Sequence, residues 1–480
     1  MFTVLRPVIS RALAFSQRLP TPVQDIALSA YGAFFHHLRY GAEFKRARAA
    51  LDASERWSRE RIEAEQQRNL TALLRHCRRN VPYYEELFLR SGISENDLGR
   101  PDVLTLLPAL DKATVRANPD SFLARGASRW KLVAKGTAGT TGSPMLFYST
   151  RDEIQRYWAF ADRCRTWAGS RLGARRATFS GIALLRGDQQ EPPFWRRDRI
   201  ENKVLLSIYH LSPRTIPHYA RFLEGFRPAE ILGHPSALSL VAAIWPDDIP
   251  VTFPPPAIIT SGEQLFANQR AIIERRFGGR VSDQYSAGGE MGPVISNCER
   301  GVYHEHPESG IVELMRPEGD GSPEGERGEI VITGFTNWTM PLLRYRTGDA
   351  SQRRLESCAC GRDFRAYEFI EGKIADRLLL PDGRMIGNVY SLVESFPAVR
   401  ECQIRQEAVD RVVFVLAPSP EFDAAARAEI ERQAREFLGP AVQISIELVD
   451  SIARTKRGKL RLVVSELTET PLVEFDRERV

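Results

Sequence analysis

The sequence predicts an α/β fold in which a large multi-layer N-terminal domain with a helical beginning is joined to a small α+β C-terminal domain. The first observation is an alternation of short β-type runs with helical runs from about Leu132 onward. A β-type run at 257–260, for example, is followed by a helical run at 268–277 and a β-type run at 281–285. Such alternation is typical of layered α/β proteins.

The first hundred residues provide the second observation, a helical spacing of apolar side chains. The charged run at 55–68 fits the solvated face of such helices, and Asn80, Pro82 and Gly92 interrupt them. We therefore expect residues 1–100 to be mainly helical. The apolar positions are Leu70, Leu73, Leu74 and Cys77.

The C-terminal end provides the third observation, a compact mixed pattern. β-type runs at 412–416 and 443–449 flank a helical run at 423–438 that is rich in Ala, Arg, Glu and Gln. The candidates for its buried side are Phe422, Ile430 and Phe437. The predicted domains are 1–371 and 372–480.

Composition excludes several classes of protein. The chain has 480 residues, 43% hydrophobic and 26% charged, which rules out disordered and fibrous classes, and no apolar run is long enough to cross a bilayer. The net charge of +5 is spread among acidic residues, so nucleic acid is not an expected partner. Anionic small molecules fit this charge equally well.

The N-terminal stretch Met1–Pro20 interleaves Arg6, Arg11 and Arg18 with apolar residues and lacks the continuous apolar centre of a signal peptide. An amphipathic helix here would either pack on its own domain, which is the commoner outcome, or touch a membrane surface. We expect a cytoplasmic protein without an integral membrane segment.

A Gly/Thr-rich stretch at 135–144 has the composition of a phosphate loop. Its glycines allow backbone N–H groups to turn inward, and its threonines add hydroxyl donors for a polyphosphate. It is not the Walker pattern, so a plain turn remains an alternative on these residues alone. The candidate nucleotide-binding residues here are Lys135, Gly136, Thr137, Gly139, Thr140, Thr141 and Gly142.

The stretch is similar to the signature loop of the adenylate-forming superfamily, with Ala138 where Ser or Gly is usual. Further segments follow in the family's order. Residues 233–236 and 260–263 resemble segments that line the acyl pocket and the adenine side of the nucleotide site, and 283–285 resembles the start of a motif with an aromatic residue and a magnesium-binding Glu. The residues so implied are His234, Pro235, Tyr285 and Gly288 for the substrate, and Ser261, Gly262, Glu263, Asp283, Gln284 and Tyr285 for the nucleotide.

Two later motifs complete the resemblance. Residues 345–349 match the ribose motif, in which Asp349 accepts hydrogen bonds from both ribose hydroxyls. Residues 454–461 resemble the C-terminal motif whose last lysine, here Lys459, reaches carboxylate and phosphate oxygens during adenylation. A basic run of this kind is otherwise usually a solvated loop. The implied catalytic residues are Lys459, Glu290 and Thr137.

Within the superfamily, most of the chain resembles phenylacetate–coenzyme A ligases, coenzyme F390 synthetases and CapK-like proteins, through segments such as 80–84, 107–112, 341–345 and 358–362. The resemblance implies a mobile C-terminal domain, ATP and Mg²⁺, and a carboxylic acid that becomes an acyl-adenylate with release of pyrophosphate. The expected acceptor is the thiol of coenzyme A. An amine or sugar acceptor in polysaccharide biosynthesis, or a nucleotide-binding scaffold without catalysis, remains open, as does a homodimer.

The sequence departs from the family pattern at two places. Glu290, the expected magnesium ligand, falls one residue late, and Lys373 stands where the family has arginine. A lysine is a point charge that does not reproduce the paired hydrogen bonds of a guanidinium. Ala375 occupies the expected hinge position, and Arg362 is a candidate to compensate for Lys373.

Six cysteines are too few for a disulfide scaffold, but Cys298, His304, Cys358 and Cys360 have the residue types of a closed zinc site. CapK-like relatives are expected to carry similar residues, so a structural zinc is predicted, with His306 as a substitute ligand. The alternative is that they are buried thiols and a surface histidine.

Overall fold

The structure is a computed structural model of the chain. It describes residues 17, 19–136, 146–182, 184–265, 267–287, 293–316, 321–371, 377–383, 385–387, 389–393, 396–450, 452 and 463–467.

The N-terminal region is helical, as its apolar spacing predicts. The long third helix begins where the Ser58 side chain accepts a hydrogen bond from the backbone N–H of Arg61, and it buries all four predicted apolar positions. These helices are α1 (Thr21–Arg39), α2 (Ala42–Ser54), α3 (Arg59–Asn80) and α4 (Pro82–Arg90).

The later helices alternate with strands, which is the predicted α/β pattern. One of them begins with a capping box in which Thr150 and Glu153 exchange side-chain and backbone hydrogen bonds. These helices are α5 (Lys112–Ala117), α6 (Arg151–Trp167), α7 (Ile216–Phe226), α8 (Pro235–Ala243), α9 (Ala267–Phe277), α10 (Tyr390–Val393) and α11 (Ala424–Leu438).

A short hairpin precedes one large sheet. The hairpin is β1 (Val133–Gly136) and β2 (Leu146–Ser149). The strands of the large sheet are β3 (Arg176–Ser180), β4 (Trp195–Asp198), β5 (Lys203–Ser207), β6 (Glu230–Gly233), β7 (Ala257–Ser261), β8 (Val281–Ser286), β9 (Pro293–Asn297), β10 (Tyr303–Glu305), β11 (Gly310–Met315), β12 (Arg327–Gly334), β13 (Tyr345–Arg353) and β14 (Ala366–Glu371).

The large sheet is mixed, and its order within the described residues is β11-β12-β13-β14-β10-β9-β8-β7-β6-β3-β5-β4. The central strands β5, β3, β6, β7 and β8 pair parallel in this order. The pairs β8–β9, β9–β10 and β10–β14 are antiparallel. The register places Gly233 beside Thr260 and Thr260 beside Asp283. The carboxyl ends of β6, β7 and β8 therefore meet at one edge.

The C-terminal part contains a hairpin and a separate sheet of order β19-β18-β17-β20. Its helix α11 begins after Asp423, whose side chain accepts a hydrogen bond from the N–H of Ala426, and Ile430 is buried as predicted. Phe422 and Phe437 pack partly buried on the core. The strands are β15 (Arg377–Leu379), β16 (Met385–Gly387), β17 (Val399–Ala408), β18 (Arg411–Pro418), β19 (Gln443–Leu448) and β20 (Val463–Ser465).

Apolar side chains form two principal clusters. One joins α7 and the parallel strands to the C-terminal part, where the rings of Tyr209 and Phe437 lie 4.8 Å apart. The other joins the N-terminal helices to the antiparallel strands. Among the described residues, no helix has the length and apolar character needed to cross a membrane.

Candidate functional site

Several predicted site residues lie where the parallel strands end. His234 and Pro235 follow β6, Ser261 ends β7, and Gln284 and Tyr285 lie at the end of β8. In α/β sheets, ligands bind in the crevice outside the carboxyl ends of parallel strands. The segments predicted for the acyl pocket and for the adenine side are therefore neighbours at a suitable edge.

A close contact fixes the first two of these segments to each other. Nδ1 of His234 is 2.9 Å from the carbonyl oxygen of Ser261, within hydrogen-bond distance. Gly262 follows with a φ of 84°, and a β-carbon there would lie 3.0 Å from the His234 ring. A side chain at this position would be strained by its backbone and by the imidazole, which explains the glycine.

The ribose motif forms an irregularity in β13. Glu329 of β12 pairs with Ala350, but Val331, two residues later, pairs with Arg346. The extra residues are accommodated by Gly348, whose φ is 77° and whose N–H donates to Glu329 Oε1 at 3.0 Å. This bulge displaces the Thr-Gly-Asp segment from the regular strand.

The bulge brings Asp349 to the parallel-strand edge. The hydroxyl of Tyr285, at the end of β8, donates to Asp349 Oδ2 at 2.8 Å, and the backbone N–H of Asp349 donates to Thr347 Oγ1 at 3.1 Å. Burial, with the nearby Asp349 charge, raises the pKa of Tyr285 well above its usual value. Tyr285 therefore stays protonated and serves as a donor.

A third carboxylate, Asp283, lies beneath this edge in a buried network. The hydroxyl of Thr260 donates to its Oδ1 at 2.5 Å, and the hydroxyl of Tyr303 donates to its Oδ2 at 2.9 Å. Its backbone N–H donates to Asn297 Oδ1 at 2.9 Å. Burial raises the pKa of Asp283 to about 6, although the hydroxyl donors oppose the shift.

Tyr303 also lines a cavity of about 340 Å³ beside the segment that follows Glu263. Arg270 lines the same cavity, and its guanidinium donates to Asn297 Oδ1 at 3.0 Å. Sequence reasoning did not identify Asn297 and Tyr303, and it identified Thr260 only as the first residue of the segment 260–263. The three residues come from three different strands, and only the pairing of those strands identifies them.

The predicted metal ligands form a second, separate cluster. Within the described residues, one ligand atom from each of Cys298, His304, Cys358 and Cys360 lies within 4.8 Å of the others. The two sulfur atoms of Cys298 and Cys358 are 3.8 Å apart, and Cys360 Sγ is 3.5 Å from His304 Nε2. The sulfur separation exceeds the disulfide bond length of about 2.05 Å.

These separations fit a tetrahedral zinc ion. Zn–S bonds of about 2.3 Å and a Zn–N bond of about 2.0–2.1 Å at tetrahedral angles give S–S and S–N distances of about 3.8 and 3.5 Å. His304 Nδ1 is 3.2 Å from the carbonyl oxygen of Phe364, which suits an Nδ1–H donor and leaves the Nε2 lone pair for a metal. The N–H of Arg300 also donates to Cys298 Sγ at 3.3 Å.

Two expectations at this cluster need correction. His306 is not a substitute ligand, because its Nε2 bonds to Ser296 Oγ at 2.8 Å and its Nδ1 faces the buried guanidinium of Arg163 at 2.8 Å. Arg362 does not compensate for Lys373, because its guanidinium is buried beside the cluster. There it donates to the carboxylates of Glu55 and Glu299.

The other predicted residues divide into two sets. Lys135 and Gly136 lie in β1, paired with Phe147 and Leu146. Those outside the described residues are Thr137, Gly139, Thr140, Thr141, Gly142, Gly288, Glu290, Lys373 and Lys459.

The fold defined by this sheet and its C-terminal part is similar to that of a solved CoA ligase. Its structure matches that of 2-hydroxyisobutyryl-CoA ligase, in complex with 2-HIB-AMP and CoA, with a TM-score of 0.59 at 19% identity. The match covers 86% of this chain and 91% of that protein. The predicted fold class is thereby confirmed.

One domain family and two proteins have sequences similar to that of this chain. Residues 378–466 match the CapK C-terminal domain. The chain is 25% identical to Protein CapK of Staphylococcus aureus, over 93% of this chain and 98% of that protein. It is 24% identical to phenylacetate-coenzyme A ligase of Aromatoleum evansii, over 86% and 96% respectively. These homologues confirm the predicted resemblance to phenylacetate–CoA ligases and CapK-like proteins.

Proposed function

We propose that this chain is an AMP-forming acid–thiol ligase, which activates a carboxylic acid with ATP and transfers the acyl group to coenzyme A. The observation that carries the proposal is the strand bulge that presents Asp349 beside Tyr285 at the carboxyl edge of the parallel strands. Homology to phenylacetate-coenzyme A ligases over most of the chain supports this reaction class.

Asp349 binds the ribose of ATP in this proposal. A carboxylate has several lone pairs and accepts from two neighbouring hydroxyls at once. Tyr285 donates to one of its oxygens and so holds the carboxylate at the end of β8. The hydrogen bond between His234 and Ser261 joins the acid side of the site to its adenine side.

The chemistry proceeds in two displacements. The carboxylate oxygen attacks the α-phosphorus of ATP, the bond to the β-phosphate breaks, and pyrophosphate leaves. The residues at 137–142 and Lys459 neutralise the charge on the phosphates, and Glu290 would hold a Mg²⁺ ion that would supply further positive charge there. The sulfur of coenzyme A then attacks the acyl carbon, the thiol loses its proton and AMP leaves.

The acid is already ionised at neutral pH, so adenylation requires no general base. Positioning and charge neutralisation account for the rate. Three of the eight histidines, His210, His304 and His306, are buried and bonded to structural partners.

We also propose that the cysteine cluster holds a structural zinc ion. Cys298, His304, Cys358 and Cys360 supply four ligand atoms, which fill a tetrahedral shell and leave no position for a substrate. The ion would join the turn after β9 to the loop after β13. None of the six cysteines forms a disulfide, which accords with a reducing cytoplasm where ATP and coenzyme A are available.

The decisive experiment is carboxylate-dependent exchange of pyrophosphate into ATP, measured with a panel of aryl, acyl and amino acids. We expect exchange with at least one acid and its loss, by roughly 10²-fold or more, in Lys459→Ala, because that cation stabilises charge in the transition state. Lys456→Ala, a lysine three positions earlier in the same basic run, is the matched control.

Product mass analysis with and without coenzyme A identifies the acceptor. A thioester that needs coenzyme A supports the ligase. An acyl amide or acyl sugar formed without coenzyme A would assign the chain to the alternative acceptors. Failure of exchange with every acid, together with nucleotide binding, would favour the scaffold that lacks catalysis.

A further inference from the structure

Helix α1 has an unusual distribution of side chains. Its exposed positions are Pro22, Val23, Ile26, Ala27, Ala30, Ala33, Phe34 and His37. Ile26 is 69% exposed and Val23 is 42% exposed. Their spacing of three or four residues places the apolar members on one face. This outward face is therefore almost entirely apolar, the reverse of an ordinary surface helix.

The inward face explains why the helix is oriented this way. Strand β4 is the last strand of the large sheet, and α1 covers its free edge. The backbone N–H of Arg197 donates to Asp25 Oδ1 at 2.9 Å, and that of Arg199 donates to Ser29 Oγ at 3.1 Å. The polar side chains of the helix thus satisfy the sheet edge and are unavailable to the outer surface.

A close approach fixes this orientation. A β-carbon at Gly32 would lie 2.1 Å from a carboxylate oxygen of Asp198, so the helix backbone sits directly against β4. On the same side, Gln24 Oε1 accepts from Arg196 Nε at 2.6 Å. Rotation of the helix to hide Val23 and Ile26 would break these contacts. The packing of α1 against β4 therefore fixes the apolar face on the outside of the helix.

Basic side chains lie beside this face. Arg197 in β4 and Arg199, which follows β4, are exposed, and Arg151 donates to the carbonyl oxygen of His37 at 2.7 Å. A second apolar residue, Ile200, is 54% exposed beside the arginines.

We propose that this surface, formed by the apolar face of α1 and the flanking arginines, binds an anionic lipid membrane. An apolar helix face enters the boundary between headgroups and acyl chains, while arginines pair with anionic headgroups. A second copy of the chain fits less well, because pairing of two such surfaces would place arginines of both copies in one interface. The surface lies outside the proposed catalytic site, so it would locate the enzyme without taking part in the reaction.

The test is co-sedimentation of the full chain with vesicles of phosphatidylcholine alone or with roughly 30 mol% phosphatidylglycerol. We expect binding mainly to the anionic vesicles, weakened by salt. Val23→Glu/Ile26→Glu should lower the partition coefficient at least about tenfold, since two apolar side chains no longer enter the boundary. Arg199→Gln should lower it about fivefold, because one cation near the surface is lost.

Leu89→Glu is the matched control, because Leu89 is 67% exposed at the end of a different helix. It should bind vesicles as the parent does, and thermal melting should show that all variants are folded. Equal vesicle binding by Val23→Glu/Ile26→Glu and the parent would overturn the proposal. A parent chain that binds no vesicles would also overturn it. If that chain forms a dimer that Val23→Glu/Ile26→Glu abolishes, the face belongs to an interface with a second copy.

Discussion

The nucleotide edge, our name for the carboxyl ends of β6, β7 and β8 where we propose that ATP binds, and the cysteine cluster both depend on residues from the same two strands. Tyr303 and His304 are consecutive in β10, and Asn297 and Cys298 are consecutive at the end of β9. In each pair the first residue supports Asp283 and the second belongs to the cluster. This is the alternation of side chains across a strand.

The two regions also differ in access. Asp349 is half-buried on a bulge, whereas three of the four cluster residues are buried. Substitutions in the cluster should therefore act on stability, and substitutions at the bulge should act on the proposed nucleotide binding.

The largest effect is expected from Cys298→Ser. Removal of one ligand would open the shell of the proposed zinc ion, so the loss of unfolding free energy should be well above the ~1 kcal/mol typical of point substitutions. Zinc content by mass spectrometry and denaturant unfolding measure the two consequences. Cys77→Ser, which also places a hydroxyl at a buried cysteine, is the control and should leave zinc content unchanged. Unaltered zinc content in Cys298→Ser would contradict the assignment.

Asp349→Asn should have the second-largest effect, confined to the nucleotide. Loss of the anionic acceptor weakens two hydrogen bonds to the ribose, each worth about 1.5 kcal/mol or more, so KM for ATP should rise roughly 10²-fold. Thermal melting without nucleotide should change little, because the carboxylate is half-buried. Asp188→Asn, at an exposed site, is the control. If the variant melted early but kept its KM, the division between the regions would fail.

Local patterns predicted the elements well but not the long-range polar contacts. Helix 423–438 and strand 281–285 differ from the observed Ala424–Leu438 and Val281–Ser286 by one residue each, since caps and periodicity are local. The bulge at Gly348 depends on the register with β12, and no local pattern encodes that register.

The cluster shows the same limit. The residue types indicated zinc ligands, but both ring nitrogens of His306 contact other partners. Ser296 lies on the neighbouring strand β9, and Arg163 lies in α6, far away in sequence. Arg362 was assigned to the nucleotide from its position after the ribose motif. Its partner Glu55 lies about three hundred residues away in sequence. Sequence spacing therefore identified candidate chemistry and left the choice of partners to the tertiary structure.

The smallest effect is expected from Asp283→Asn and should depend on pH. The folded-state pKa of about 6 lies above the ordinary value of 3.8, because burial disfavours the carboxylate. The folded protein therefore binds more protons than the unfolded chain between these values, and ionisation costs stability as pH rises from about 4 to about 6. Above pH 6 the cost is fully present.

Asn cannot ionise, so the stability of Asp283→Asn relative to the parent should improve on going from about pH 4 to pH 7, on the order of 2 kcal/mol. Urea unfolding at both pH values measures this change, and an offset from altered hydrogen bonds with Thr260 and Tyr303 is common to both and cancels. Tyr303→Phe removes one donor to the carboxylate of Asp283 and should raise the pKa of that group further. The stability lost between about pH 4 and pH 7 should then be larger in Tyr303→Phe than in the parent. If the difference in unfolding free energy between Asp283→Asn and the parent were constant with pH, Asp283 would titrate normally. The polar network around Asp283 would then be accessible to water.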